Sequence, residues 1–232
     1  MSVHQLRPPQ RPAQPPKEPI LNIEDPAPFV LAAVFGLCHL GFVMAPQSFS
    51  AFASQSFALF SANGQVLIPG RPLGSVSTLL THTLLHADWS HVLMNSAFIA
   101  IFGVIAIRGV KHKNKPVLGV MRRGSVVFLA IFVLGAISGG LAQWLYWILA
   151  NSTGAAIGAS SGGAALFACT AWGIGGKKRL MSFGIMVMAF DLFSTLMGGN
   201  PAWAAHLGGY SMGAALAVLW LNPNSADIGI VR

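Results

Sequence analysis

Charge is what this chain has least of. Asp, Glu, Lys and Arg together supply 9% of its 232 residues, where a soluble domain carries about 25%. So little charge cannot cover a water-facing surface, and an ordinary soluble globular domain is excluded. Cysteine is scarcer still. Cys38 and Cys169 are the only two. Both fall in apolar runs, so no disulfide framework is implied and both read as small buried side chains. No apolar core lies near the start, which argues against a cleavable signal peptide. Neither an internal repeat nor an appended soluble domain is visible.

What is present is apolar: 54% of the residues are hydrophobic, with 26 glycines, and the mean hydropathy is +0.64. The composition and length predict an integral membrane protein with one compact helical domain. At roughly 20 apolar residues per crossing, six spans are expected near 27–45, 88–107, 125–149, 157–175, 180–197 and 203–221. Arg7, Arg11 and Lys17 precede the first span. Arg108, Lys111, Lys113, Lys115, Arg122 and Arg123 lie between the second and third. Lys177, Lys178 and Arg179 lie between the fourth and fifth, and Arg232 follows the sixth. These cations fall on one side of a six-span zigzag, leaving Arg71 opposite. Basic loops stay cytoplasmic, so both termini are expected inside. The net charge of +8 therefore reports topology, not a nucleic-acid partner. Residues 1–26, rich in proline, are expected to form a disordered cytoplasmic tail. The first span then inserts as a signal anchor, 27–221 forms the six-span domain, and 222–232 is a short cytoplasmic tail.

The longest connection, from about Ala45 to Thr81, mixes small, polar and aromatic residues (Phe49, Phe52, Phe57, Phe60) and carries an Asn63-Gly64 turn signal. Loops this long are often functional, and the phenylalanines favour one partly embedded at the membrane interface. The run from Leu79 to Asn95 then holds His82, His86, Asp88, His91 and Asn95. His91 and Asn95 are four apart and share a helical face. His82 and His86 have the spacing of helical zinc ligands, but the Glu after the first His of the zinc-protease signature is missing. No metal and no cofactor is expected, and His82 and His86 are assigned structural roles.

Two further stretches open apolar runs: Gly158-Ala159-Ser160-Ser161-Gly162 and Ala204-Ala205-His206-Leu207-Gly208-Gly209. Polar groups at membrane depth usually mark a site, and this pair suggests a serine nucleophile with a histidine base. Gly158 two residues before Ser160 permits the tight turn into the helix that exposes the serine. That favours Ser160, while a competing frame makes Ser161 the nucleophile before Gly162. Gly158-x-x-x-Gly162 and Gly209-x-x-x-Gly213 are helix-contact signals. Contact of spans four and six through them would bring Ser160 to His206. Both lie about one turn inside the outer end of their spans and Asn95 about two. The three would thus meet in the outer half of the bilayer, where water can reach an acyl-enzyme.

The serine stretch, the run Trp203–Gly209 and the two leucines and histidine ahead of His91-x-x-x-Asn95 together resemble the rhomboid family of intramembrane serine proteases over roughly residues 75–221. The resemblance implies an all-α polytopic membrane protein, a six-transmembrane-helix rhomboid-like bundle. Ser160 and His206 would be its catalytic dyad, and His91 and Asn95 its oxyanion donors. Substrates would be single-pass transmembrane proteins in the lipid bilayer, cut near their outer end at small side chains, with helix-breaking residues nearby. Three departures from the pattern stand out. The outer loop lacks the family's Trp-Arg pair, Ser161 replaces a glycine, and Ala164 stands where an aromatic commonly packs near the histidine. Asp191 could complete a triad, but a dyad is what the family implies, so Asp191 is assigned a packing or gating hydrogen bond. The alternative reading is a catalytically inactive rhomboid-like protein that binds or escorts membrane helices. The minimal six-span form suggests a bacterial inner membrane.

Overall fold

A computed structural model describes residues 25–110, 113–118 and 121–223. Residues 1–24 of the expected tail and 224–232 lie outside the described residues. Helix α1 runs Ala27–Met44, with a proline in its first turn where the missing N–H costs nothing. In the long connection between α1 and α4, α2 (Gln47–Phe57) is followed by β1 (Leu59–Ser61) and by α3 (Thr78–Thr81), which leads into a 3-10 turn at His82–Leu84. Helix α4 (Trp89–Gly109) starts at Asp88, whose carboxylate accepts from the His91 N–H as an N-cap. Short strands β2 (Pro116–Leu118) and β3 (Met121–Arg122) lead to α5 (Arg123–Leu149). β4 (Gly154–Ala156), α6 (Ser160–Leu196) and α7 (Trp203–Trp220) complete the chain.

Helix α6 is 37 residues long and breaks at Gly175 and Gly176, the latter at φ 57°, a left-handed backbone that favours glycine. Six helical segments thus overlap the six expected spans. Among the described residues four helices, α1, α4, α5 and α6, are long and apolar enough to cross a membrane. The two parts of α6 have different surroundings. Before the break Ala165, Leu166, Ala168 and Cys169 are wholly buried, as in a helix surrounded on all sides. Ala165, Leu166 and Cys169 pack with Phe35 of α1, Val92 and Ile99 of α4, and Phe128, Ile131 and Phe132 of α5. After Gly176 the second part is peripheral, and Asp191 is its one buried residue.

The contact between α6 and α7 rests on α7's glycines. A β-carbon at Gly209 would collide with the Ser161 carbonyl, and one at Gly213 with the Ala165 backbone. The serine-side pair behaves differently from expectation. Gly162 packs beneath the Phe132 ring of α5, and Gly158 faces His91. Each residue advances about 100° around a helix, so Gly162 points away from α7 and the close approach is one-sided. At the end of the bundle where α6 begins, β1 pairs antiparallel with β4, Leu59 opposite Ala156 and Ser61 opposite Gly154. The long connection is thereby anchored to the segment that enters α6. Arg71 donates to the Ala58 carbonyl at 2.6 Å, while Phe49 and Phe52 of α2 are exposed.

Candidate active site at the start of α6

Strand β4 delivers the chain to Gly158, whose φ of 113° lies where a side chain is strained. Space also excludes one, because a β-carbon there would sit 2.7 Å from His91 Nε2 and 3.4 Å from Asn95 Nδ2. The turn places Ser160 as the first residue of α6, where backbone N–H groups lack intrahelical partners and the helix dipole is positive. Ser160 is half-buried. Its Oγ lies 2.9 Å from His206 Nε2. On the far side of the ring, His206 Nδ1 lies 2.9 and 3.0 Å from the two oxygens of Asp191. A carboxylate only accepts, so Nδ1 carries the proton, and Nε2 is left to accept from the Ser160 hydroxyl. The side chain of His206 is 19% exposed and that of Asp191 4%.

The two serines face different histidines. Ser161 is buried, and its hydroxyl donates to His82 Nε2 at 3.4 Å. His82 Nδ1–H donates in turn to the Thr78 carbonyl at 2.8 Å, and the His82 carbonyl accepts the Gly158 N–H at 2.9 Å. His82 therefore holds the serine turn at both its ends. Burial pushes the His82 imidazole down to about 4, so it stays neutral at ordinary pH.

Asn95 and His91 flank the turn from α4. Asn95 is buried, and its Nδ2 has no hydrogen-bond partner among the described residues. An unpaired buried donor is costly unless something else occupies it. His91 Nδ1 accepts the Ala87 N–H at 3.4 Å, which leaves the proton on Nε2, beside Gly158. Donors from two residues thus converge on the Gly158 turn that leads to Ser160. His39 of α1, which sequence reasoning passed over, is buried edge-on against Trp89 at 4.7 Å. A lone histidine in an apolar run gave no signal of that contact. Among the described residues no three His, Cys, Asp or Glu side chains gather as metal ligands would.

A cleft of about 400 Å³ opens between α4 and the second part of α6, lined by Asn95, Ser160, Asp191 and His206 at one end. Met94, Phe98, Phe102, Phe167, Met186 and Phe190 make the rest of its wall apolar. Ala164 adds no aromatic ring beside His206; it packs with Ala168 and Tyr210. The assembly can polarise a hydroxyl, remove its proton and offer N–H donors to a developing negative oxygen, with Ser160, His206 and Asn95 facing an apolar cleft. A family model, the Rhomboid domain, matches residues 73–223. Comparison with curated proteins finds no match.

Proposed function

The chain belongs to the rhomboid family, whose domain covers more than half of it, and from that premise we propose that this integral membrane protein is an intramembrane serine protease. The observation that carries the reading is the 2.9 Å contact between Ser160 Oγ and His206 Nε2 at the end of an apolar cleft. Ser160 Oγ adds to the scissile carbonyl carbon as its proton passes to His206 Nε2. The carbonyl oxygen becomes an oxyanion held by Asn95 Nδ2–H, His91 Nε2–H and the Ser160 N–H. His206 then gives its proton to the leaving amine as the C–N bond breaks. Water, deprotonated by the same imidazole, releases the acyl group and restores Ser160.

Membrane proteins are the substrates the family acts on. Single-pass segments cut near their outer end suit a cleft walled by phenylalanine and methionine, with small side chains at the cleaved bond. The six-span arrangement counts the two parts of α6 and α7 as crossings, with both termini cytoplasmic in a bacterial inner membrane. The test is cleavage of a single-pass model substrate by the purified protein in liposomes, with Ser160→Ala alongside. Wild-type cleavage that disappears in Ser160→Ala supports the protease. Substrate binding without cleavage by the wild type favours the inactive helix escort instead.

A further inference from the structure

Past Gly176, α6 lies at the edge of the bundle with its apolar side chains outward: Met181, Ile185, Phe190, Leu192 and Phe193 are all exposed. The single buried side chain of this stretch is a carboxylate, Asp191. Burying a carboxylate costs several kcal/mol unless it is paired and hydrogen-bonded, so packing alone would select an apolar residue here. Its partner is the N–H of His206, which it meets with both oxygens. From this we infer that Asp191 is a positioning residue for the reaction, the third member of a Ser160–His206–Asp191 triad. The inference rests on the proposed protease activity and replaces the packing or gating role that the sequence suggested for this residue.

Two observations beyond the distances support it. First, Ala164 leaves no aromatic ring beside His206, so Asp191 supplies the hydrogen bond that orients the imidazole. Second, a carboxylate on Nδ1 fixes the tautomer in which Nε2 is free to accept the serine proton. In the attack step the Ser160 proton moves to Nε2, and Asp191 stays ionised beside the imidazolium and stabilises it; no proton reaches the carboxylate. The charged and titratable groups facing His206 are Asp191 from α6 and His91 from α4, whose charge would oppose an imidazolium. Among the described residues, Asp191 is the one group placed to favour it.

A gating role and a positioning role differ in what they slow. The test compares wild type with Asp191→Asn, Asp191→Glu and Ser160→Ala in two assays. One is kcat and KM for a transmembrane substrate. The other is labelling by a small fluorophosphonate, in which the Ser160 Oγ–P bond forms as fluoride leaves and the proton passes to His206. Asn is nearly isosteric, but its NH2 donates to Nδ1 and forces the proton onto Nε2. Asp191→Asn should therefore lower kcat roughly 10³–10⁴-fold with KM little changed, and slow labelling in parallel. Asp191→Glu should recover at least about tenfold of that loss. Labelling at the wild-type rate in a folded Asp191→Asn variant overturns the inference, as does a change confined to KM. Equal losses in Asn and Glu with a matching drop in melting temperature also overturn it, since they mark a structural contact. Wild type without cleavage or labelling would remove the protease reading and this inference together. Wild-type activity lost in Ser160→Ala but kept in Asp191→Asn removes the triad alone.

Discussion

Two serines stand side by side at the start of α6, and their surroundings separate them. Ser160 meets His206 and the cleft; Ser161 is buried against His82, an imidazole already committed to Thr78 and to the Gly158 turn. Ser160→Ala should accordingly abolish cleavage, and Ser161→Ala should retain it within about tenfold while losing on the order of 1 kcal/mol of stability with its hydrogen bond. Cleavage surviving in the first variant and vanishing in the second would reverse the assignment. Asn95→Ala should slow turnover roughly 10²–10³-fold, the scale of one lost oxyanion donor, without lowering the melting temperature, because Asn95 Nδ2 has no partner to lose. Turnover at the wild-type rate would exclude it from the site. The pairs Gly158-x-Ser160 and His91-x-x-x-Asn95 were legible because each is local. The pairing of Asp191 with His206 was visible only as a possible triad and was set aside for the family's dyad. Fifteen residues separate the two, and only the path through the turn at Met197–Ala202 brings them opposite each other.

Helices were easier to read than the contacts between them. Long apolar runs and the basic clusters between them fixed the six helical segments to within a few residues, including the break at Gly175–Gly176 just before Lys177-Lys178-Arg179. Helix α2 and the three-residue strands β1 and β4 were not visible. A mixed run such as Gln47–Phe57 shows no clean period, and three residues are too few to display alternation. Both glycine pairs read alike in sequence, yet only Gly209 and Gly213 make the α6–α7 contact. Gly213 offers a test of that contact without touching a reacting group. Its added β-carbon meets Ala165 backbone atoms, which no rotamer change relieves, so Gly213→Ala should cost roughly 1–3 kcal/mol and slow fluorophosphonate labelling by widening the Ser160–His206 gap. Gly36→Ala, with nothing within 4 Å, should melt and label as wild type. A Gly213→Ala protein indistinguishable from wild type would show that α7 is not seated through this glycine.

At the scale of the whole molecule, the end of the bundle that holds the serine turn is built on neutral histidines in a chain otherwise poor in charge. His82 and His86 are both buried there. Burial pushes each down to about 4 from an ordinary 6.5, helped at His86 by the neighbouring His91 and His39. In the unfolded chain both would protonate near 6.5, so between about 4 and 6.5 the unfolded state binds more protons than the native one. Stability must then rise with pH across that window: it is complete above 6.5 and is lost as pH falls towards 4. Each shifted histidine contributes roughly 1–3 kcal/mol, and the bundle should soften from the end where His82 holds the serine turn. Melting temperature in detergent, followed from pH 7.5 down to 4, should be flat at first and then fall below about 6.5. His86 makes no hydrogen bond among the described residues and packs on the Phe35 ring with centroids 5.7 Å apart, so a leucine can replace it without orphaning a partner. His86→Leu should match the wild type at pH 7.5 and fall less steeply below 6.5, because one proton fewer is taken up on unfolding. An unchanged slope in that variant would mean that the acid sensitivity of the fold lies elsewhere than in this buried imidazole.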